Sequence, residues 1–328
     1  MKILVVGLGS MGKRRINLLT KNFSDDCSIV GVDSREDRRI EVEKTYNIKT
    51  YLSLDEAISI EKPNCALICT SPITHSDIII RCLEDNLNVF TEINLLTDRY
   101  QEIIDLANKN NLKLFLSSTF MYRKEIQYIQ NEISSSNDKY HYRYHVGQYL
   151  PDWHPWENYK DFFVGDKRTN GCRELLAIEL PWIINTFGKI IKFNVIRDNI
   201  SSLQLDYPDS YIISCEHENG HKGVLSVDVV SRRATRNLEI YSENNHIFWE
   251  GNPESLKRYS VEDKKIVDID TYSKYIRDMR YADSIIEDAY LDELIIFIDM
   301  VKDKDPYVRY TFEDDMYTLN LIDKIEGV

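Results

Sequence analysis

The chain has 328 residues, 43% of them hydrophobic and 29% charged, which is enough apolar material for a core and excludes a largely disordered protein. Lys and Arg number 41 against 54 Asp and Glu, a net charge of −13, so the chain repels phosphate backbones and no nucleic-acid partner is expected. No run approaches the ~18 apolar residues of a membrane helix, and Ile3-Leu4-Val5-Val6 is too short for the apolar part of a secretion signal. The six cysteines form no CxxC pair and sit mostly among apolar residues, as reduced thiols of a cytoplasmic protein do.

From the N-terminus, short apolar runs alternate with helical patterns. The expected strands are 2–6, 28–32, 65–69, 88–91 and 113–117; the expected helices are 13–21, 35–46, 55–60, 76–85 and 100–108. Strands alternating with helices imply right-handed crossovers and a parallel, doubly wound sheet. After about residue 118 the pattern changes. A helix at 123–133 leads into period-two strands at 140–145, 192–197, 211–215, 223–230, 237–241 and 246–249, and Asn219-Gly220 signals a tight hairpin. Helices at 284–302 and 313–325 close the chain. The expected domains are a Rossmann α/β domain over 1–118 and an α+β domain with a mostly antiparallel sheet over 119–328.

Gly7-Leu8-Gly9-Ser10-Met11-Gly12 is a GxGxxG placed directly after an apolar strand and before an amphipathic helix. That context suits a tight turn and the close approach of a pyrophosphate to backbone N–H groups at a helix N-terminus. Asp33 ends the next strand, where a carboxylate accepts from the adenosine ribose hydroxyls and repels a 2′-phosphate. NAD is therefore favoured, with NADP as the alternative because Ser34 and Arg35 are placed to cradle a 2′-phosphate. Thr70, Ser71, Pro72 and His75 follow the strand 65–69, and Glu92 and Asn94 follow 88–91; both loops point to the crevice at the carboxyl ends of the strands. His75 serves equally well as a cap of its own helix.

These motifs together resemble the Gfo/Idh/MocA family of sugar and cyclitol oxidoreductases. The likeness runs through Lys13-Arg14-Arg15, Cys69-Thr70-Ser71-Pro72, Phe90-Thr91-Glu92, Met121-Tyr122-Arg123 and Tyr290…Glu293. It implies that the first loop holds the cofactor diphosphate, that Thr70-Ser71-Pro72 meets the ribose and nicotinamide, and that Glu92 sits by the nicotinamide ribose. It also implies that the second-domain sheet covers the nicotinamide and forms a homodimer or homotetramer interface. Two departures stand out. Glu92-Ile93-Asn94 replaces the family's Glu-Lys-Pro, so the usual lysine is missing. Asn170-Gly171-Cys172-Arg173-Glu174 through Trp182 replaces a Gly-Gly turn with Asp and His, placing the expected histidine at or beside Glu179.

Hydride transfer at a carbinol carbon needs a group to move the hydroxyl proton. With lysine absent, the candidates are Glu179, which burial would tune, and His154. Substrate contacts are expected from Trp153, Trp156 and Tyr159, whose rings suit a sugar, and from Arg123 and Arg173. Cys215, His217 and His221 flank the hairpin and are expected near solvent on alternate faces, so no metal is expected. Glu313-Asp314-Asp315 reads as the N-terminal charge bias of the last helix. The overall expectation is an NAD(P)-dependent oxidoreductase of a sugar or nucleotide sugar, of the kind found in bacterial surface-glycan synthesis. The rival readings are a cofactor-binding protein without net redox chemistry, and an epimerase or eliminase that recycles NAD.

Overall fold

The computed structural model describes residues 1–155, 157–276 and 285–328. The chain divides into two compact units, Met1–Ser118 with Tyr290–Leu319, and Thr119–Ala289 with Asn320–Val328.

The first unit holds strands β1 (Lys2–Val6), β2 (Ser28–Val32), β3 (Lys49–Tyr51), β4 (Cys65–Ile68), β5 (Asn88–Thr91) and β6 (Leu114–Leu116). They lie in the order β3-β2-β1-β4-β5-β6, all parallel. Helices α1 (Ser10–Asn22), α2 (Glu36–Tyr46), α3 (Leu54–Glu61), α4 (His75–Glu84) and α5 (Tyr100–Lys109) make the crossovers. β1 and β4 are continuous apolar runs because helices cover both faces of a doubly wound sheet; Ile3, Leu4, Val5, Ala66 and Leu67 are fully buried. The strand order reverses between β1 and β4, and a ligand crevice opens at such a reversal.

In the second unit, α6 (Lys124–Ser134) precedes β7 (His141–Gly147), and α7 (Gly171–Phe187) precedes β8 (Ile190–Asp198). Next come β9 (Ser210–His217), β10 (Lys222–Asp228), β11 (Thr235–Tyr241), β12 (His246–Trp249), β13 (Lys257–Ser260) and β14 (Lys265–Asp268). These strands form one sheet, β14-β13-β12-β11-β7-β10-β9-β8. Every pairing is antiparallel except β7 with β10, which is parallel. Alternation sorts the faces: Tyr142, Tyr144, Ile213, Leu225, Leu238 and Ile240 are buried, while Ile196, Ile212 and Val224 stand out on the other face at 70%, 47% and 42% exposure. Asn170 caps α7, its side-chain oxygen accepting from Arg173 N at 2.8 Å. The last helices are α8 (Glu287–Val301) and α9 (Phe312–Glu326); the expected start at Ser284 lies outside the described residues.

Candidate functional site

The glycine turn between β1 and α1 is built on two contacts that exclude a side chain. Gly7 has φ +92°, and a Cβ there would stand 2.7 Å from Cys69 O. A Cβ on Gly12 would stand 1.9 Å from Gly7 O, so only glycine lets α1 start this close to the turn. Gly7 N donates to Val32 O at 2.8 Å and Cys69 N to Val6 O at 2.7 Å, which ties the turn to both neighbouring strands. Ser10 and Met11 open α1 beyond its cap residue Gly9, the end where backbone N–H groups favour an anion.

Asp33 is 7% exposed at the end of β2. Its Oδ2 accepts from Leu8 N at 2.7 Å and its Oδ1 from Arg35 N at 2.8 Å, so the carboxylate is fixed against the turn. Ser34 and Arg35 are exposed, and the Arg35 guanidinium pairs with Asp37. On the other side of the strand reversal, Thr70 and Ser71 are partly exposed and Pro72 is buried. His75 is turned inward at 2% exposure, with Nε2 3.0 Å from Thr70 O and Nδ1 2.7 Å from the Asn94 side-chain oxygen. Burial lowers its pKa, so the ring is neutral and has one N–H, which goes to Thr70 O. Thr91 Oγ1 also stands 3.2 Å from Nδ1. His75 and Asn94 thus hold the Thr70 loop in place.

Glu92 ends β5 at 7% exposure and gives both oxygens to Arg15, Nε to Oε1 at 2.6 Å and Nη2 to Oε2 at 3.2 Å. Arg15 also donates to Glu293 Oε2 at 2.7 Å, and its guanidinium lies over the rings of Phe90 and Tyr290. Burial is the main cause that raises the Glu293 pKa to about 7, with Arg15 opposing it. Sequence reading missed Glu293 as a buried acid; the only signal was a carboxylate on the apolar face of α8.

The second unit places the other candidates separately. Glu179 is fully buried, and its oxygens already accept from Tyr144 Oη at 2.7 Å, Trp182 Nε1 at 2.8 Å and Arg236 Nε at 2.9 Å. The proton carrier expected at this position meets a carboxylate that anchors β7 and β11 to α7. Glu174, one turn into the same helix, has a buried Oε2 with no hydrogen-bond partner, and burial raises its pKa to about 7. His154 is half-buried on its loop, with Nδ1 2.8 Å from Glu157 and the ring stacked on Phe162.

The two arginines expected at substrate both have partners within the second unit. Arg173 is 4% exposed and pairs with Asp323 at 2.6 Å and with Glu326. Arg123 is 2% exposed, bonded to Glu125 and to Gly251 O and lying over Phe120 and Trp249. Trp153 and Tyr159 are half-buried and spend their polar tips on Gln148 O (3.1 Å) and Leu203 O (3.0 Å). Trp156 lies outside the described residues. Cys215, His217 and His221 are buried rather than near solvent. His217 bonds Tyr142 Oη (3.0 Å) and Gly188 O (2.7 Å), and His221 Nδ1 accepts from Tyr140 N. Among the described residues no group of three His, Cys, Asp or Glu is placed to hold a metal, and no helix is long and apolar enough to cross a membrane.

A strand-order reversal, a glycine turn closed to side chains and an acid fixed at the end of β2 define a dinucleotide-binding Rossmann domain. Residues 1–118 match the Gfo/Idh/MocA family model, described as an oxidoreductase family with an NAD-binding Rossmann fold. It is 30% identical over 119 residues to the myo-inositol 2-dehydrogenase of Thermotoga maritima; the match spans 35% of this chain and 35% of that protein's length. The whole chain is similar in fold to the UDP-N-acetylglucosamine 3-dehydrogenase GnnA of Acidithiobacillus ferrooxidans, at TM-score 0.77 and 15% identity, covering 100% of this chain and 97% of that one. It is also similar to the WlbA dehydrogenase of Chromobacterium violaceum, solved with NADH and UDP-GlcNAcA, at TM-score 0.77 and 13% identity, covering 99% and 92%.

Proposed function

We propose that the chain is an NAD(P)-dependent oxidoreductase that moves a hydride to or from a CH–OH carbon of a sugar or nucleotide sugar. The carrying observation is Asp33 locked to Leu8 N–H at 2.7 Å beside a turn that only glycines at 7 and 12 permit. Gly9, Ser10, Met11 and Gly12 would hold the pyrophosphate at the α1 N-terminus, Asp33 the adenosine ribose, and Thr70, Ser71 and Pro72 the far half of the cofactor. NAD, when bound, supplies the hydride acceptor. Hydride transfer at a CH–OH carbon also needs a group to move the hydroxyl proton, for which Glu179 and His154 remain the candidates. The sugar class is supported by the names of the relatives above, a cyclitol dehydrogenase and two proteins of UDP-sugar chemistry. A place in surface-glycan synthesis is part of the same proposal. The apolar face carrying Ile196, Ile212 and Val224 supports self-association through the sheet.

The test is direct. The purified chain is titrated with NAD and NADH, then incubated with NAD and a panel of inositols, hexoses and UDP-N-acetylhexosamines or their uronates. NADH is expected to appear with at least one of them. A chain that binds no dinucleotide sinks the reading. The missing strand-end lysine favours one rival, a protein that binds cofactor without net turnover: Ile93 and Asn94 offer no ionisable group. Tight NAD binding with no NADH from any substrate selects that rival.

A further inference from the structure

The second unit contains a polar cleft of about 390 Å³, within the size range of small-molecule sites, that the chemistry proposed above does not use. It lies between the end of α6, the segment entering β7, the turn joining β11 to β12, and β13. Two of its polar atoms are buried without a hydrogen-bond partner. Tyr140 is 1% exposed, and its Oη is one of them. The main chain fixes this residue, because Tyr140 N donates to His221 Nδ1 at 3.0 Å and Tyr140 O accepts from Lys222 N at 3.1 Å. Asn245 Oδ1 is the other. Its amide gains nothing by turning over, since Nδ2 donates to Glu132 Oε2 at 3.3 Å and an oxygen there would face a carboxylate. A buried polar atom without a bond is costly, so two on one cleft mark where a bound molecule supplies the missing bonds.

Charge narrows the occupant. Glu132, Asp138 and Glu262 line the cleft against a single base, Arg258, whose Nη1 is already 3.4 Å from Glu132 Oε2. Asp138 stays ionised: Ser242 Oγ donates to it at 2.7 Å and Asn244 Nδ2 at 3.1 Å, and these bonds hold its pKa below the ordinary value. Lys139, next in the chain, directs its ammonium to Asn219 O instead. A phosphate or carboxylate is therefore repelled. A protonated primary amine carries three donors and no acceptor, which suits Tyr140 Oη, Asn245 Oδ1 and the Asp138 carboxylate. The cleft is far roomier than a bare ion needs. Ser135, Ser136 and Ser260 add hydroxyls that pair with hydroxyls of a ligand, and Tyr259, 36% exposed, offers a ring face. We propose that this cleft is a second ligand site, built from the second unit alone, for a small polyhydroxylated amine of the amino-sugar class.

The experiment titrates the full-length protein calorimetrically with glucosamine, glucose and glucosamine 6-phosphate, at a pH where the amine is charged and at low and high salt. Glucosamine is expected to bind saturably, at least about tenfold more tightly than glucose, and more weakly as salt rises. The phosphate ester should bind more weakly than glucosamine. Tyr140→Phe and Asp138→Asn should each weaken glucosamine by about fivefold or more. Tyr140→Phe removes a hydroxyl with no partner in the protein, so its melting temperature should equal or exceed that of the wild type, which also shows that the variant folds. Four results overturn the inference: no saturable binding of any probe, equal affinity for glucosamine and glucose, tighter binding of the phosphate ester, or an unchanged glucosamine Kd in Tyr140→Phe. The last would place the amine elsewhere on the chain. NAD titration of the same samples reads the glycine turn separately, so loss of one site leaves the other standing.

Discussion

Arg15 and Glu92 close a buried ion pair across 77 residues of chain, with Nε 2.6 Å from Oε1, and the same guanidinium reaches Glu293 at 2.7 Å. One cation thus serves two interior carboxylates, joining α1 to the end of β5 and to α8. Replacing it leaves both acids without their partner. Arg15→Ala is expected to lower unfolding stability by about 3–5 kcal/mol or to prevent folding; urea midpoints measure it, and a change below about 1 kcal/mol would show that the cluster is not what holds these elements.

Glu293 has its pKa raised from the ordinary 4.5 to about 7, first by burial and also by the nearby Glu92, against Arg15. An acid whose folded pKa is raised contributes stability that is fully present below the unfolded pKa and is lost as pH rises through the folded one. Its contribution therefore declines between about pH 4.5 and 7. His75 and His217, lowered by burial, act oppositely and gain stability as pH rises through their unfolded value. The Glu293→Gln variant isolates the first effect. Relative to wild type it should gain stability from pH 5 to about pH 7 and level off above that; a pH-independent difference would remove Glu293 as a titrating group.

At the glycine turn, Gly12→Ala inserts a methyl group 1.9 Å from Gly7 O, which no rotamer relieves because both atoms belong to backbone. The variant should lose NAD binding and about 2 kcal/mol or more of stability. Calorimetric titration and thermal unfolding together check this, and a variant that binds NAD normally contradicts the geometry.

Asp33→Ala should weaken NAD by about 1–3 kcal/mol through loss of charge-assisted bonds to the ribose. NADP should be affected less, because the repulsion disappears with the acid. A parallel loss for both cofactors would mean that the carboxylate only props the turn through Leu8 N.

For assembly, sedimentation at micromolar concentration should show a dimer or tetramer, and Ile212→Glu should shift it to monomer. Ile212 is in register with Ile196 on β8, and Val224 on β10 lies on the same face, opposite Ser214 two positions along. A wild type that is monomeric throughout argues that this face stays in water.

The parallel sheet was legible because its strands are short, continuous apolar runs and its ligand loops carry residues of special conformation. β3 escaped notice, since three half-exposed residues, Lys49–Tyr51, leave no pattern. β13 and β14 escaped for a similar reason: each is four residues long with no buried residue, and β14, at the edge of the large sheet, carries Lys265 and Asp268, which an edge tolerates. Arg173 shows where local reading of a site stops. An arginine aimed at a ligand and one aimed at Glu326, 153 residues onward, look identical along the chain. Asp315, read as helix-end charge, instead accepts from Tyr100 and Tyr310 in the interior of the first unit. Glu179 had the right neighbourhood in sequence, but the donors that saturate it come from strands 35 and 57 residues away.

The parallel pairing of β7 with β10 also governs how the second unit comes into being. Both neighbours of β7 in the sheet, β10 and β11, lie later in the chain, and His141 waits for Lys222 to complete its ladder. At ribosomal speeds of about 5–20 residues per second, that wait of roughly 80 residues lasts about 4–16 s. During it, Tyr142 and Tyr144 present aromatic faces beside two open hydrogen-bonding edges, the state in which nascent strands find wrong partners. Refolding from denaturant should accordingly be slow and dominated by this long-range closure. A chain broken off before β10 would keep its dinucleotide fold's strands yet leave β7 as an exposed, adhesive ribbon.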